Sequence, residues 1–259
     1  MKMLVIVLFA VSSIINAQSW DSVKVTKIFG KNKGSMVIYD KSKEKYYRYN
    51  QMLAAERFTP ASTFKIPNSL FGLESGVITD ENYVIKWDGV RRWRKEWNRD
   101  NTLSSAIKYS CVPYYQELAR RVGKEKAAKF LTDIGYGNCR IGDRVDFYWL
   151  DNSLKISAEE QIAFLKRFYD YKLPFSKKTV DIVKNILPEE KYKNSVLKFK
   201  TGTGTKDDKK WIAWLVGYVE NGNSVYFFSF NVEEATFKKA AQLRDEIPRI
   251  ILKQMGVIK

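Results

Sequence analysis

The chain of 259 residues contains no histidine, and this absence excludes several kinds of active site. No imidazole from within the chain can activate a nucleophile, so every Ser-His or Cys-His mechanism is excluded. Two cysteines without histidine are also a poor ligand set for zinc, and we expect no metal. A serine enzyme built on this sequence must therefore take its base from a lysine, a carboxylate or a modified side chain.

Cysteines and long apolar runs are also scarce. Export would permit a disulfide between Cys111 and Cys139, but two cysteines far apart in sequence do not imply one. Residues 1–17 resemble a secretory signal, with a lysine, an apolar core and Ala17 before the cut. A retained anchor is the alternative, but the apolar run is short for a bilayer span. We therefore expect cleavage near Ala17, a secreted or periplasmic protein, and no stable membrane insertion afterwards.

The chain is strongly basic, with 45 Lys and Arg against 29 Asp and Glu and a formal net charge of +16. Such a charge can indicate nucleic acid or an anionic surface as partner. The basic residues are scattered among acidic ones and form no block or stripe, so we expect no nucleic-acid partner. A basic secreted protein that only binds the cell envelope remains an alternative to an enzyme. The sequence is compatible with a monomer or a homodimer.

Both ends of the chain carry strand patterns. Residues 36–39 and 46–49 flank a polar, charged turn, which predicts a hairpin. Near the other end, residues 211–219 and 224–232 flank an Asn-Gly pair, a strong hairpin signal. These patterns predict one sheet assembled from both ends of the chain.

The middle of the chain has helical periodicity, with apolar residues three and four positions apart. Ser157 and Glu160 form a capping box before one predicted helix. A last helix is predicted over 236–255, which Pro248 should kink or interrupt. Residues 80–103 are irregular and rich in tryptophan, and we interpret them as packing around a long connection.

These patterns together predict an α+β fold. An antiparallel sheet built from both chain ends is flanked by helices, and a mainly helical subdomain is inserted, with a site at the seam. We predict a single domain over 18–259, in which 18–60 and 195–259 form the sheet subdomain and 61–194 the helical one.

A Ser-Lys pair is the first candidate for chemistry. Ser62 and Lys65 are three residues apart at the predicted start of a helix, where this spacing puts side chains on one face. The S-x-x-K pattern occurs four times, beginning at Ser42, Ser62, Ser105 and Ser195. Only Ser62 follows a Pro-Ala lead-in and opens an apolar helix, whose N-terminus favours developing negative charge. A simple helix cap is the alternative interpretation of Ser62.

Three further motifs follow in order: Ser110-Cys111-Val112, Tyr136-Gly137-Asn138 and Lys200-Thr201-Gly202. Each is weak alone, and the last could simply be a strand end and turn. The separations are 48 (62 to 110), 26 (110 to 136) and 64 (136 to 200) residues. Together the four motifs resemble the ordered set of the class D serine β-lactamases. Residues 57–61, 87–89, 97–100 and 146–150 are similar to the same family.

The resemblance implies a β-lactamase/transpeptidase-like fold with the site between sheet and helices. It implies that Ser62 attacks the β-lactam carbonyl and that CO2 carboxylates the amine of Lys65, giving a carbamate that acts as general base. No other cofactor is expected. Trp149 matches the tryptophan whose indole N–H holds the carbamate, with core packing as its alternative role, and Val112 keeps the pocket apolar.

The resemblance also assigns the remaining steps. Ser110 matches the serine that passes a proton to the leaving nitrogen, with Lys200 nearby. The backbone N–H groups of Ser62 and Thr203 are expected to form the oxyanion hole.

The resemblance implies that the strand carrying the Lys200-Thr201-Gly202 motif binds the substrate. Lys200, Thr201 and Arg244 are expected to hold the substrate carboxylate, and Gly202 leaves room for the backbone to approach it. Arg244 could equally be an ordinary surface residue of the last helix.

The sequence thus predicts an enzyme that hydrolyses the β-lactam amide of penicillin-type antibiotics and confers resistance to them. The alternative is a penicillin-binding sensor or peptidase-like protein that acylates at Ser62 but deacylates slowly. Cys111 and Thr203 depart from residues common in relatives. The Cys111 thiol could be inert packing or a site of oxidation, and Thr203 leaves the range of substrates open.

Overall fold

The computed structural model describes residues 22–207 and 210–259. The predicted signal segment, 1–17, lies outside these residues. The strands are β1 (Lys33–Asp40), β2 (Lys45–Tyr49), β3 (Val84–Ile85), β4 (Asn101–Thr102), β5 (Glu189–Lys191), β6 (Ser195–Asp207), β7 (Lys210–Asn221) and β8 (Ser224–Glu234). The helices are α1 (Ser22–Phe29), α2 (Gln51–Ala55), α3 (Lys65–Glu74), α4 (Leu103–Lys108), α5 (Val112–Val122), α6 (Lys124–Ile134), α7 (Ala158–Tyr169), α8 (Lys177–Ile186) and α9 (Phe237–Gln254). Single 3-10 turns span Ala61–Phe64 and Lys95–Trp97.

A six-stranded antiparallel sheet organises the fold, in the order β2-β1-β8-β7-β6-β5. Both predicted hairpins are present: Tyr39 lies opposite Tyr46, and Glu220 lies opposite Val225. Gly222 has φ +57° in the second turn, a left-handed conformation that glycine adopts without steric cost. Because β1 pairs with β8, the two ends of the chain share one sheet, and the predicted fold class is confirmed.

Helices cover both faces of this sheet. On one face, α1 and α9 pack over an apolar cluster that includes Phe29, Phe228 and Ile251. On the other face lies a larger cluster, which includes Phe64 and Trp214 and extends into the helical layer. Eight consecutive residues of β7 are buried between these layers, which is why its sequence is continuously apolar instead of alternating. In residues 22–207 and 210–259, no helix is long and apolar enough to cross a membrane.

The expected interruption at Pro248 is wrong, because α9 continues through it. Proline removes one helical hydrogen bond and costs roughly 3 kcal/mol in a helix interior. Leu243, Ile247 and Ile251 on the same helix are buried in the apolar cluster beneath the sheet. Burying each such side chain contributes about 1.5–3 kcal/mol, so the packing of α9 outweighs the cost of the proline.

Candidate active site

The nucleophile turn is the 3-10 turn Ala61–Phe64, which leads directly into α3. Ala61 has φ +46°, a conformation that costs a non-glycine residue about 1–3 kcal/mol and is concentrated at functional sites. Lys65 Nζ donates a hydrogen bond of 2.8 Å to Ser62 Oγ. The spacing of three residues therefore brings the hydroxyl and the amine together as predicted, and the Ser62 side chain makes no helix-capping bond in the described turn.

Of the other three S-x-x-K serines, Ser42 and Ser105 have ordinary structural roles, and Ser195 lies on a strand with its Oγ unpaired in the described residues. Ser42 Oγ donates to Asp40 in a turn at 2.7 Å. Ser105 belongs to the capping box of α4. Ser195 and Lys198 lie on β6, where Lys198 Nζ donates to the carbonyl of Lys184 at 2.9 Å. Of the four S-x-x-K pairs in the described residues, the pair at Ser62 thus combines a buried amine with a hydroxyl bonded to it.

Lys65 is nearly inaccessible, with 1% of its surface exposed. Burial disfavours the charged amine and lowers the pKa of Lys65 to about 7. Its Nζ lies 5.3 Å from the centre of the Tyr115 ring. About half of the Lys65 amines are then neutral near pH 7, whereas an ordinary lysine is almost fully protonated there.

Trp149 has a buried indole N–H without a partner in the described residues. Its ring stacks on Phe64 with centroids 5.7 Å apart, and its side chain is fully buried. Trp149 Nε1 has no hydrogen-bond partner within the described part of the chain. By contrast, Trp214 Nε1 donates to the carbonyl of Thr59 at 2.9 Å. An unpaired buried N–H costs about 1–3 kcal/mol, so Trp149 holds an unused donor on a ring that stacks on Phe64, the residue before Lys65.

Ser110 and Lys200 form a second hydroxyl–amine pair. Ser110 lies between α4 and α5 with φ +53°, a second strained residue at the site. Lys200 Nζ lies 3.3 Å from Ser110 Oγ and 2.9 Å from the carbonyl of Thr201. Burial holds the pKa of Lys200 well below its usual value, and the positive charge of Lys65 adds to this effect. A buried, easily deprotonated amine beside a hydroxyl can relay a proton.

Gly202 lets β6 pass close to the nucleophile turn. A Cβ at this position would lie 2.9 Å from the carbonyl oxygen of Pro60 and 3.1 Å from the backbone N of Thr63. Next along the strand, Thr203 Oγ1 donates to the carbonyl of Gly202 at 2.8 Å and accepts from Arg244 Nη1 at 2.8 Å. Arg244 thus reaches this strand from α9 and is only 15% exposed on its side chain.

A cleft of about 190 Å³ connects these groups. Of the predicted site residues, those that line it are Ser62, Ser110, Val112, Thr201, Gly202, Thr203 and Arg244. Lys65, Lys200 and Trp149 are buried. A larger cavity of about 420 Å³ shares Trp97 with the cleft, but neither Ser62 nor Lys65 lines it. The chemistry of the lining, not the volume, therefore identifies the cleft as the candidate active site.

Comparisons with known proteins agree with this geometry. Residues 29–253 match the penicillin binding protein transpeptidase domain. The chain is 40% identical to Beta-lactamase OXA-48 of Klebsiella pneumoniae over 257 residues, which covers 96% of each chain. The solved class D β-lactamase YbXI from Nostoc is 41% identical with a TM-score of 0.86, over 90% of this chain and 98% of that one. This chain belongs to the class D β-lactamases.

A regulatory relative is also similar. The chain is 36% identical to Regulatory protein BlaR1 of Bacillus licheniformis, over 86% of this chain but 37% of that protein. OXA-48, in contrast, is matched along almost its whole length. The two relatives above that are matched along nearly their whole length are β-lactamases, and the chain is a hydrolase of this family.

Sequence reasoning missed six residues that line the cleft of this β-lactamase. The additional lining residues are Trp93, Arg94, Trp97, Leu150, Phe237 and Ala241. The tryptophan-rich connection was interpreted as packing, but Trp93 is 73% exposed and lines the cleft together with Trp97. Three tryptophans in an aperiodic segment were the available signal, because such a segment has no single periodic face on which to bury them.

Two further sequence features have structural roles. Tyr136 is buried and packs edge-on against Phe64, with centroids 5.5 Å apart, so its loop supports the nucleophile turn from behind. Cys111 and Cys139 are both free thiols. Burial raises the pKa of the Cys111 thiol, which favours the neutral, unreactive form.

Proposed function

We propose that this β-lactamase hydrolyses the β-lactam amide of penicillin-type antibiotics through an acyl-enzyme on Ser62. The observation that carries the proposal is the 2.8 Å hydrogen bond between Ser62 Oγ and a buried lysine amine. Ser62 attacks the lactam carbonyl, and the C–N bond of the ring breaks. The backbone N–H groups of Ser62 and Thr203 receive the developing oxyanion, because Gly202 allows β6 to approach the turn.

We further propose that Lys65 works in the carboxylated form. Only a neutral amine reacts with CO2, and burial keeps a large share of Lys65 neutral near pH 7. The unpartnered indole N–H of Trp149 is a donor suited to a carbamate oxygen. The carbamate supplies the base that a chain without histidine otherwise lacks. So modified, Lys65 accepts the proton of Ser62 and later that of the water that releases the product.

Ser110 and Lys200 complete the proposed cycle. Ser110 Oγ gives its proton to the lactam nitrogen as the ring opens and is resupplied through Lys200, 3.3 Å away. Lys200, Thr201 and Arg244 hold the substrate carboxylate. Carboxylation of Lys65 replaces a positive neighbour of Lys200 with a negative one, which raises the pKa of Lys200 and favours its binding of that carboxylate.

Turnover of a chromogenic cephalosporin or a penicillin tests the proposal. We expect many product molecules per Ser62. A single acyl group per molecule followed by arrest would favour the penicillin-binding sensor or peptidase. No acylation at all would contradict both and favour a binding protein without catalysis.

Activity is expected to depend on pH and CO2 together. Below the Lys65 pKa of about 7, each unit of pH lowers the neutral amine fraction about tenfold. Addition of CO2 to the neutral amine releases a second proton as the carbamate forms, so the dissolved CO2 needed for half-maximal activity should rise by up to about 100-fold per pH unit as the pH falls from 7 to 5.5. Steady-state rates in degassed buffer with added bicarbonate check this. A CO2 requirement that is the same at both pH values would argue against carboxylation of Lys65.

We propose that residues 1–17 direct export, with cleavage near Ala17, and that the mature enzyme confers β-lactam resistance in the periplasm or medium. We expect cells expressing the gene to tolerate a higher penicillin concentration, and the purified secreted form to begin near residue 18. Cells expressing Ser62→Ala should have the same protein level and no added tolerance. Full-length protein retained in the cytoplasm would contradict the proposed location.

A further inference from the structure

Arg94 lies in the wall of the catalytic cleft and has no role in the chemistry proposed above. It lines the cleft together with Ser62 and Ser110 and is half-buried. It follows Trp93 in the connection between β3 and β4. Its positive charge lowers the pKa values of both Lys65 and Lys200, so its guanidinium acts directly on the interior of the site.

The Arg94 guanidinium is held in place and is not neutralised. It lies 5.1 Å from the ring centre of Trp93 and 5.8 Å from that of Trp97, within the range of cation–π contacts. Nη1 donates to the carbonyl of Tyr109 at 2.9 Å. Within residues 22–207 and 210–259, no carboxylate forms a salt bridge with it. A guanidinium has five N–H donors, so the Tyr109 bond leaves most of them available.

The other arginine of the cleft differs in this respect. Arg244 is paired with Asp245 at 3.0 Å and bonded to Thr203, on the strand proposed to bind the lactam carboxylate. Arg94 has no such acidic neighbour and lies on a different segment of the wall. Arg244 therefore lies at the position proposed to bind the carboxylate that every penicillin carries. Arg94 provides a second cationic position in the cleft, which has no assigned ligand.

We propose that Arg94 is a second anion-binding position, which favours β-lactams with an additional acidic group on the acylamino side chain. This inference rests on the proposed function, because the lactam carboxylate must occupy the first position. A carboxylate on the side chain would meet donors already oriented by two aromatic rings. Partial burial strengthens such a contact relative to one on an open surface.

A purely positioning role is the alternative for Arg94. The Tyr109 carbonyl that Arg94 binds directly precedes Ser110, so loss of the bond could displace the proton relay. Trp97 Nε1 donates to the same carbonyl at 3.0 Å, so this segment keeps one of its two side-chain bonds without Arg94. A positioning role predicts equal losses for all penicillins, whereas an anion-binding role predicts a loss that depends on substrate charge.

Benzylpenicillin and α-carboxybenzylpenicillin make a matched pair, because they differ by one carboxylate. In Arg94→Gln, we expect the ratio of kcat/KM for the dianionic over the monoanionic substrate to fall about 5–10-fold. Arg91→Gln removes the same charge from an exposed position of the same connection and should leave the ratio unchanged. In the unsubstituted enzyme the ratio should also fall as salt is raised.

Equal losses for both penicillins in Arg94→Gln would overturn the inference and leave Arg94 as a positioning residue. An equal change of the ratio in Arg91→Gln would also overturn it, in favour of general attraction by a basic protein. If hydrolysis is slow, the rates of acylation at Ser62 can be measured by intact mass spectrometry. Their ratio for the dianionic over the monoanionic penicillin then replaces the ratio of kcat/KM. Failure of the unsubstituted enzyme to react with either penicillin would instead refute the proposed function, and the inference with it.

Discussion

Lys65→Ala is expected to acylate and then stop, with turnover reduced at least about 10³-fold. The strained lactam ring can still react slowly with an unassisted Ser62 hydroxyl. The acyl ester has no ring strain, and its hydrolysis needs a water activated by a base. Since the chain has no histidine to replace the lysine, the acyl-enzyme should accumulate. Intact mass spectrometry after mixing with a penicillin would detect Ser62 carrying the whole opened substrate.

Two control variants accompany this experiment. Ser62→Ala should show no adduct at any time. Lys198→Ala removes the lysine of another S-x-x-K pair, whose amine is bound to the Lys184 carbonyl and does not line the cleft, and should retain turnover. Lys65→Ala should unfold at a temperature no lower than the parent, because it removes an amine whose charge is disfavoured by burial. Undiminished turnover in Lys65→Ala would remove Lys65 from the mechanism.

The accuracy of sequence reasoning depended on whether a feature is local. The β7–β8 turn follows from an Asn-Gly pair and its flanking strands, and the capping box at Ser157 follows from two side chains three residues apart. The contact between Ser62 and Lys65 is of the same kind, because a helical turn fixes its geometry. Such features need no knowledge of the remaining fold.

Side-chain contacts between distant segments at the site were accessible only through the family resemblance. Lys200 and Ser110 are 90 residues apart, and Arg244 reaches Thr203 across 41 residues. No periodicity predicts these contacts. The wall formed by Trp93 and Arg94 was missed because its connection has no repeating pattern, and only tertiary packing decides which of its side chains face the cleft.

The unpaired indole N–H of Trp149 could not be predicted from the sequence. A buried tryptophan normally finds a partner for its N–H, as Trp214 does. Whether such a donor is satisfied depends on carbonyls supplied by other segments. The unpaired Nε1 of Trp149 therefore adds support for the carbamate that is independent of motif matching.

Trp149→Phe should raise the CO2 requirement of the enzyme about 10–100-fold, because it removes a hydrogen bond to a charged group worth about 1.5–3 kcal/mol. The phenyl ring can still stack on Phe64, and the unmodified enzyme loses no hydrogen bond, since this N–H has no partner in the described structure. We expect low activity in degassed buffer and recovery at high bicarbonate. Signals from 13C-labelled carbamate, titrated with bicarbonate, would measure the affinity directly.

Trp214→Phe is the matched control for this prediction. It also replaces a fully buried indole, but one whose N–H is bonded to the Thr59 carbonyl. It should lose about 1 kcal/mol of stability for that bond, plus the packing it gives up, while its CO2 requirement stays at the parent value. The two variants thus exchange effects: one loses carbamate affinity and the other loses stability. An unchanged CO2 requirement in Trp149→Phe would show that the indole N–H does not hold the carbamate, and Lys65 would then need another donor for it.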